Sequence, residues 1–284
     1  MYRITKVLNH NTVLGIHTDD NQEYLIMGKG IGFGRKITER IETRPTDKIY
    51  SLRESTERGN AKELVSAIQP IYLEIANEIL TNAERTFNTL DKNVLFPMAD
   101  HLEFAVKRIR NHEQISNPLT DDIRVLFHME FKAAECVRSI LQEKLGVTIT
   151  DDEIGYVALH IHSSIQDENV SQAMQMAQAV RECISLIEEM TEKTIDVQSL
   201  SYNRLMNHIR YMVARTLNGE QLKISMNEYM SIKFPRSFET ASNICNKIAR
   251  NMKRDVDEME IGYLAIHIER VLYDELDSQR RETI

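Results

Sequence analysis

The chain has no tryptophan, and only five prolines, ten glycines and three cysteines in 284 residues. Each shortage excludes something. Cys136, Cys183 and Cys245 are odd in number and widely spaced, so they suit neither a disulfide framework nor a zinc site. Reduced thiols in a cytoplasmic protein are the expectation. No apolar run approaches the roughly 18 residues that a membrane helix needs, and MYRITKVLNH lacks the apolar stretch of a signal peptide. Membrane insertion is not expected. No HExxH pair or nucleophile constellation occurs, so no catalytic residue, metal or cofactor is expected, and the chain reads as a non-enzyme.

The scarce glycines are concentrated. Four of the ten fall within seven positions of MGKGIGFGRK (27–36). A dinucleotide fingerprint needs glycines at i, i+2 and i+5, but Gly28 leads to Phe33 and Gly30 to Arg35. A P-loop needs Ser or Thr after Gly-Lys, and Gly28-Lys29 is followed by Gly30. Nucleotide binding is therefore a poor fit. Charge supplies another hint. The formal total is −8, yet residues 1–44 hold seven Lys/Arg against five acids, which leaves +2 there and −10 in the remainder. A mildly basic head on an acidic body points to a polyanion partner for the head.

Two patterns divide the chain. YRITKVL, TVLGI, EYLIM, IGFGRKI and KIYSL are β-like runs, with turn signals at NHN (9–11) and TDDNQ (18–22). So small a β module buries little apolar surface alone, which favours dimerisation. After the polar linker ESTERGN (54–60) the apolar spacing becomes helical, as in LVSAIQPIYLEIANEIL. EIGYVALHI (153–161) returns as EIGYLAIHI (260–268), HLEFAVKRI (101–109) as HIRYMVART (208–216), and MEFKAAECV (129–137) as RSFETASNI (236–244), each time 107 residues later. The expected fold class is α+β multidomain: a small all-β head (1–56), then two homologous all-α helical bundles (65–169 and 172–284). Their boundary lies near SSIQDENVSQ (163–172).

The repeat pairs up four of nine histidines: His101 with His208, and His160 with His267. Glu153, Tyr156 and His160 share one helical stripe beside the apolar face of Ile154, Val157, Ala158 and Ile161, as do Glu260, Tyr263 and His267. Arg108 and Arg215 stand seven residues after His101 and His208, on the same stripe. Hydrogen-bonded core histidines would fit any one position. Metal ligation fits poorly, because His160 and His162 point to different helix sides. Phosphoryl acceptance needs an accessible neutral imidazole with one nitrogen oriented and a cation nearby. Keeping histidine in both copies weighs towards function, since a core position does not require it.

These residues resemble a known family. KVLNHN with MGKGIGFGRK is similar to the co-antiterminator RNA-binding (CAT) domain of BglG/SacY-family transcriptional antiterminators. The two repeats resemble that family's phosphotransferase-system (PTS) regulation domains, PRD1 and PRD2. The resemblance spans the whole chain, and the IGFG and HIHSS wording is closest to the subgroup controlling glucose-permease operons. It implies a homodimeric head that grips a hairpin in leader mRNA and keeps a terminator from forming. It also implies histidine phosphorylation by a sugar-specific PTS enzyme II and by the histidine phosphocarrier protein. By position, the acceptors are His101, His160, His208 and His267; the RNA contacts are Lys6, Asn11, Gly28, Lys29 and Phe33. Two departures stand out: Lys29 replaces an arginine common in the family, and Asn207 precedes His208 where Asp100 precedes His101. The adjacent carboxylate is expected to orient His101 or raise its basicity. Two rivals remain: a DNA-binding activator with the same regulation domains, and a metal-using helical hydrolase.

Overall fold

The computed structural model describes every residue except 53–54, 57–58, 167–168, 193–194, 196–198 and 282–284. It divides into two compact units, Met1–Val170 and Ser171–Ile284. The first begins with an antiparallel five-stranded sheet: β1 (Tyr2–Asn9), β2 (Thr12–His17), β3 (Glu23–Met27), β4 (Arg40–Ile41) and β5 (Lys48–Ser51). The spatial order is β4-β1-β2-β3-β5. β1 slips register against β2 between Ile4 and Lys6 and again between Val7 and Asn9. Such bulges bend a strand and re-aim its end.

The run IGFGRKI is not a strand. Residues 28–39 form successive turns, with Gly30 at φ 71° and Gly34 at φ 69°. Only glycine takes such angles without a Cβ penalty, so the β-like composition loses to local backbone chemistry. Ile31 still reaches the head's core, beside Tyr2, Ile4, Val13, Ile26 and Ile41.

The opposite face of the sheet is buried too. Leu25 and Tyr50, cross-strand partners, lie on it. The Tyr50 hydroxyl donates to Asn77 Oδ1 at 2.6 Å, and its ring meets Phe96 edge-on at 6.2 Å. Ion pairs Lys48–Glu84 (2.7 Å) and Lys62–Glu23 (2.8 Å) flank the contact. The head therefore completes its burial against the helical part of the same unit, which offsets the shortage expected of so small a sheet.

Part of the expected polar linker forms a two-residue ladder, β6 (Ser55–Thr56) with β7 (Gly59–Asn60); its residues 54, 57 and 58 lie outside the described residues. Helices α1 (Ala61–Ala67), α2 (Pro70–Ala83), α3 (Leu95–Arg110), α4 (Thr120–Leu126), α5 (His128–Ala134), α6 (Val137–Leu145) and α7 (Asp151–Ile165) follow. Within LVSAIQPIYLEIANEIL, Pro70 opens α2 at its first turn, where a missing N–H costs nothing. The second unit holds α8 (Val170–Thr191), α9 (Leu200–Asn218), α10 (Asn227–Lys233), α11 (Pro235–Met252) and α12 (Met259–Arg281).

The repeat survives in three dimensions. Adding 107 to the bounds of α4 gives α10, and adding it to the start of α5 and the end of α6 gives α11. In both copies the histidine-bearing helices pack together, α3 with α7 and α9 with α12.

Candidate functional site

In the head, the β1–β2 turn and the glycine loop hold each other. Asn11 Oδ1 accepts the Gly30 N–H at 2.9 Å, and the Asn11 carbonyl accepts the Gly28 N–H at 2.9 Å. Gly32 N–H donates to the His10 carbonyl, also at 2.9 Å. A Cβ on Gly28 would lie 2.0 Å from Asp47 Oδ1, and one on Gly32 would lie 2.2 Å from the Asn9 carbonyl. These two glycines answer to packing inside the head; close approach to a ligand is not needed to explain them. Gly30 and Gly34 instead face open space.

The structure thus brings Asn11, Gly28 and Lys29 together and leaves Phe33 beside them. Phe33 is 70% exposed and touches His10 edge-on at 5.3 Å. An aromatic ring of that exposure is not core, and its face is open to a flat partner. Asn11 spends its oxygen on Gly30, so any further bond it makes as a donor comes from Nδ2. Lys29 is exposed, with its carbonyl held by Arg44 at 2.7 Å. Lys6 is exposed on β1, opposite Leu14. Asn11, Gly28 and Lys29 line a crevice of about 350 Å³ whose far wall is α2, with Glu74, Asn77 and Glu78. Asn9 Nδ2 donates to Glu74 Oε1 at 2.9 Å across it.

The four paired histidines form two clusters. In the first unit the rings of His101 and His160 lie 5.5 Å apart, and His101 lies 5.4 Å from Tyr156. Glu153, 2% exposed, sits beneath them. Its Oε2 is 3.1 Å from His101 Nε2, off the ideal N–H line, and its Oε1 accepts from Arg108 at 2.6 Å. Burial would raise the Glu153 carboxyl; hydrogen bonds from His101 and Arg108, and their charges, overcome that and hold it below the usual range. Arg108 also lies 4.6 Å over the exposed Phe104 ring. His162 points away from the cluster, to Glu130 on α5 at 3.0 Å.

The second cluster repeats the parts in a different balance. His208 and His267 stack at 4.7 Å and 23°. Arg215 forks onto Glu260 with two bonds of 2.6 and 2.9 Å, and His208 Nε2 stands off at 3.7 Å. Burial, then His267 and Arg215, push His208 down to about 3; burial, then Arg270 and Arg204, push His267 down to about 4. Both imidazoles are neutral at pH 7, as a phosphoryl acceptor must be. Access is tighter than the sequence suggested: His101 is 8% exposed and His160 4%.

Sequence reasoning noted Glu153 and Glu260 on a stripe but gave them no task, and it looked to Asp100 for the carboxylate beside His101. The carboxylate facing His101 Nε2 is Glu153, from the other histidine motif. The signal was present: Arg108/Arg215 and Glu153/Glu260 keep the 107-residue offset, and a charge repeated on a mostly apolar helix calls for a partner.

Cys183 and Cys245 are buried and Cys136 half-buried, all free; burial pushes Cys136 up to about 11 and Cys245 to about 12. Among the described residues no group of three His, Cys, Asp or Glu is placed to hold a metal ion, and no helix is long and apolar enough to cross a membrane.

Comparison with known proteins identifies the modules that carry these residues. Residues 2–59 match the CAT RNA binding domain, and residues 61–164 and 181–271 match the PRD domain. The chain is 33% identical over 271 residues to protein GlcT of Staphylococcus epidermidis, covering 94% of this chain and 95% of that protein. It is 31% identical over 275 residues to the GlcA/glcB genes antiterminator of Staphylococcus carnosus, covering 94% of each. A crystal structure of GlcT CAT-PRDI superposes with a TM-score of 0.51 at 30% identity, over 58% of this chain and 98% of that one. The sheet of the head belongs to an RNA-binding module, which removes the support for a DNA-binding activator. The chain belongs to the BglG/SacY family of transcriptional antiterminators, RNA-binding regulators with one CAT domain and two PRD domains under PTS control.

Proposed function

We propose that this protein is the antiterminator of a glucose-type sugar operon. Its head, as a symmetric homodimer, binds a hairpin in leader mRNA and keeps the overlapping terminator from forming. Lys6 and Lys29 meet phosphates, Asn11 reads a base edge, Phe33 stacks, and Gly28 shapes the surface. His101, His160, His208 and His267 accept phosphoryl groups from a sugar-specific PTS enzyme II and from the histidine phosphocarrier protein. The protein is a cytoplasmic regulator and not an enzyme. Its working domains are 1–56, 65–169 and 172–284, a division supported by the break between Val170 and Ser171.

One observation carries the proposal: the His–Glu–Arg cluster is built twice, at the same positions of two repeats, with the exposed Phe104 ring against Arg108 in the first. A phosphoryl group brings about −1.5 to −2 charges. Set next to buried Glu153 or Glu260, it repels the carboxylate and competes for Arg108 or Arg215, so the helix pair must rearrange.

The test has two arms. Phosphopeptide mapping after incubation with the PTS components should find label on the four histidines. Gel shifts should show binding to leader RNA and none to matching duplex DNA, with RNA affinity altered in His101→Asp. A protein that ignores leader RNA in every phosphoform defeats the proposal.

A further inference from the structure

The two histidines of a cluster present different ring nitrogens to the outside. His101 has 9% of its side chain exposed, yet its Nε2 is fully buried against Glu153. The exposed part of the ring therefore excludes Nε2. His208 repeats this, with 10% of its side chain exposed and Nε2 buried above Glu260. His267 is the reverse: half-buried overall, with Nδ1 the sealed nitrogen.

We propose that phosphoryl transfer is nitrogen-selective within each cluster, taking Nδ1 on His101 and His208 and Nε2 on His267, with Glu153 and Glu260 as positioning residues. The inference rests on the proposed histidine phosphorylation and specifies its chemistry. A nucleophilic imidazole nitrogen must carry a lone pair, so the proton must sit on the other nitrogen. Glu153 is the acceptor beside Nε2; it fixes the Nε2–H tautomer and leaves Nδ1 basic. The Nδ1 lone pair then forms the new N–P bond. The donor's P–N bond breaks, and its electron pair returns to the donor imidazole, which leaves neutral. The proton stays on Nε2 of His101. N-phosphorylation gives the ring imidazolium character, and the Glu153 carboxylate stands where that charge appears.

The clusters differ in how firmly this is done. Arg215 occupies both oxygens of Glu260, and His208 Nε2 is 0.6 Å farther from its carboxylate than His101 Nε2 is, 3.7 against 3.1 Å. His208 is expected to accept more slowly than His101 from the same small donor, because its tautomer is less firmly held.

The experiment uses the full chain, phosphorylated for short times with the phosphorylated histidine phosphocarrier protein and, separately, with potassium phosphoramidate. Peptides are prepared at alkaline pH and probed with antibodies specific for 1- or 3-phosphohistidine, the Nδ1 and Nε2 isomers. The expected result is the 1-isomer on the His101 and His208 peptides and the 3-isomer on the His267 peptide. The 3-isomer on His101, or the 1-isomer on His267, overturns the inference while leaving histidine phosphorylation intact. No label on any of these histidines overturns both. Glu153→Gln should slow labelling of His101 about tenfold or more and shift its pH profile, with labelling of His267 as internal control and rescue by Glu153→Asp. A purely structural Glu153 would lower thermal stability and leave that pH profile unmoved. Should Glu153→Gln fail to fold, the isomers found on the wild-type chain decide alone.

Discussion

Acidification should strike the second unit through its stacked histidines. An unfolded chain titrates histidine near 6.5, whereas the fold holds His208 at about 3 and His267 at about 4. Between these values the unfolded state binds more protons than the native state, so stability rises with pH across the window. The contribution is complete above about pH 6.5 and is lost as pH falls towards 4 and 3. At pH 5 the buried His208 costs about 2 kcal/mol relative to pH 7.5, and His267, whose shift is screened by the solvent it meets, costs less, against the 5–15 kcal/mol typical of a domain. The rings touch, so they titrate as a coupled pair in two steps. Histidine-selective ¹H–¹³C NMR on the full chain reads the protonation directly, and calorimetry at pH 7.5, 6 and 5 reads the stability. His208→Asn should remove more than half of the pH dependence, because His208 is the more deeply buried ring. Normal titration of either ring near 6.5 in the folded protein would refute the reasoning, because it would mean that burial does not penalise the charged ring.

Other outcomes follow from single contacts. Phe33→Ala should weaken hairpin binding by about 1–3 kcal/mol per stacked base, roughly five- to 150-fold, while thermal unfolding shifts little because the ring is 70% exposed. Glu74→Ala should raise RNA affinity modestly in a low-salt titration, since it removes a carboxylate from the crevice that Lys29 lines, and the gain should fade at high salt. Arg108→Ala strands the buried Glu153 charge and should lower urea stability of the first unit by about 3–5 kcal/mol; a change under about 1 kcal/mol would refute the buried pair. Lys253 sits at φ 52°, where the first repeat has Gly146 at φ 64°. Lys253→Gly should therefore raise stability by about 1 kcal/mol in thermal melts.

Where the sequence was read correctly, the code was local or repeated. Turn chemistry at NHN and TDDNQ separated β1, β2 and β3, and the 107-residue offset reproduced helix bounds such as α4 and α10 residue for residue. Where it was misread, a stronger local rule or a distant partner intervened. IGFGRKI has strand-like composition, but alternating glycines with left-handed angles turn it into a loop. The adjacent carboxylate was sought at Asp100, but the one facing His101 comes from α7, as Glu153.

The sequence alone determined the order of modules, the duplication, the pairing of four histidines and the family. Those follow from period and spacing, which the chain carries along its own length. Only tertiary structure decided which carboxylate meets His101, that Arg215 takes both oxygens of Glu260, and that the crevice beside Lys29 is walled by Glu74. Each of these is a contact between residues 45 or more positions apart. Such contacts depend on how helices rotate and cross, and that is set by the packing of whole apolar faces, which no local pattern encodes.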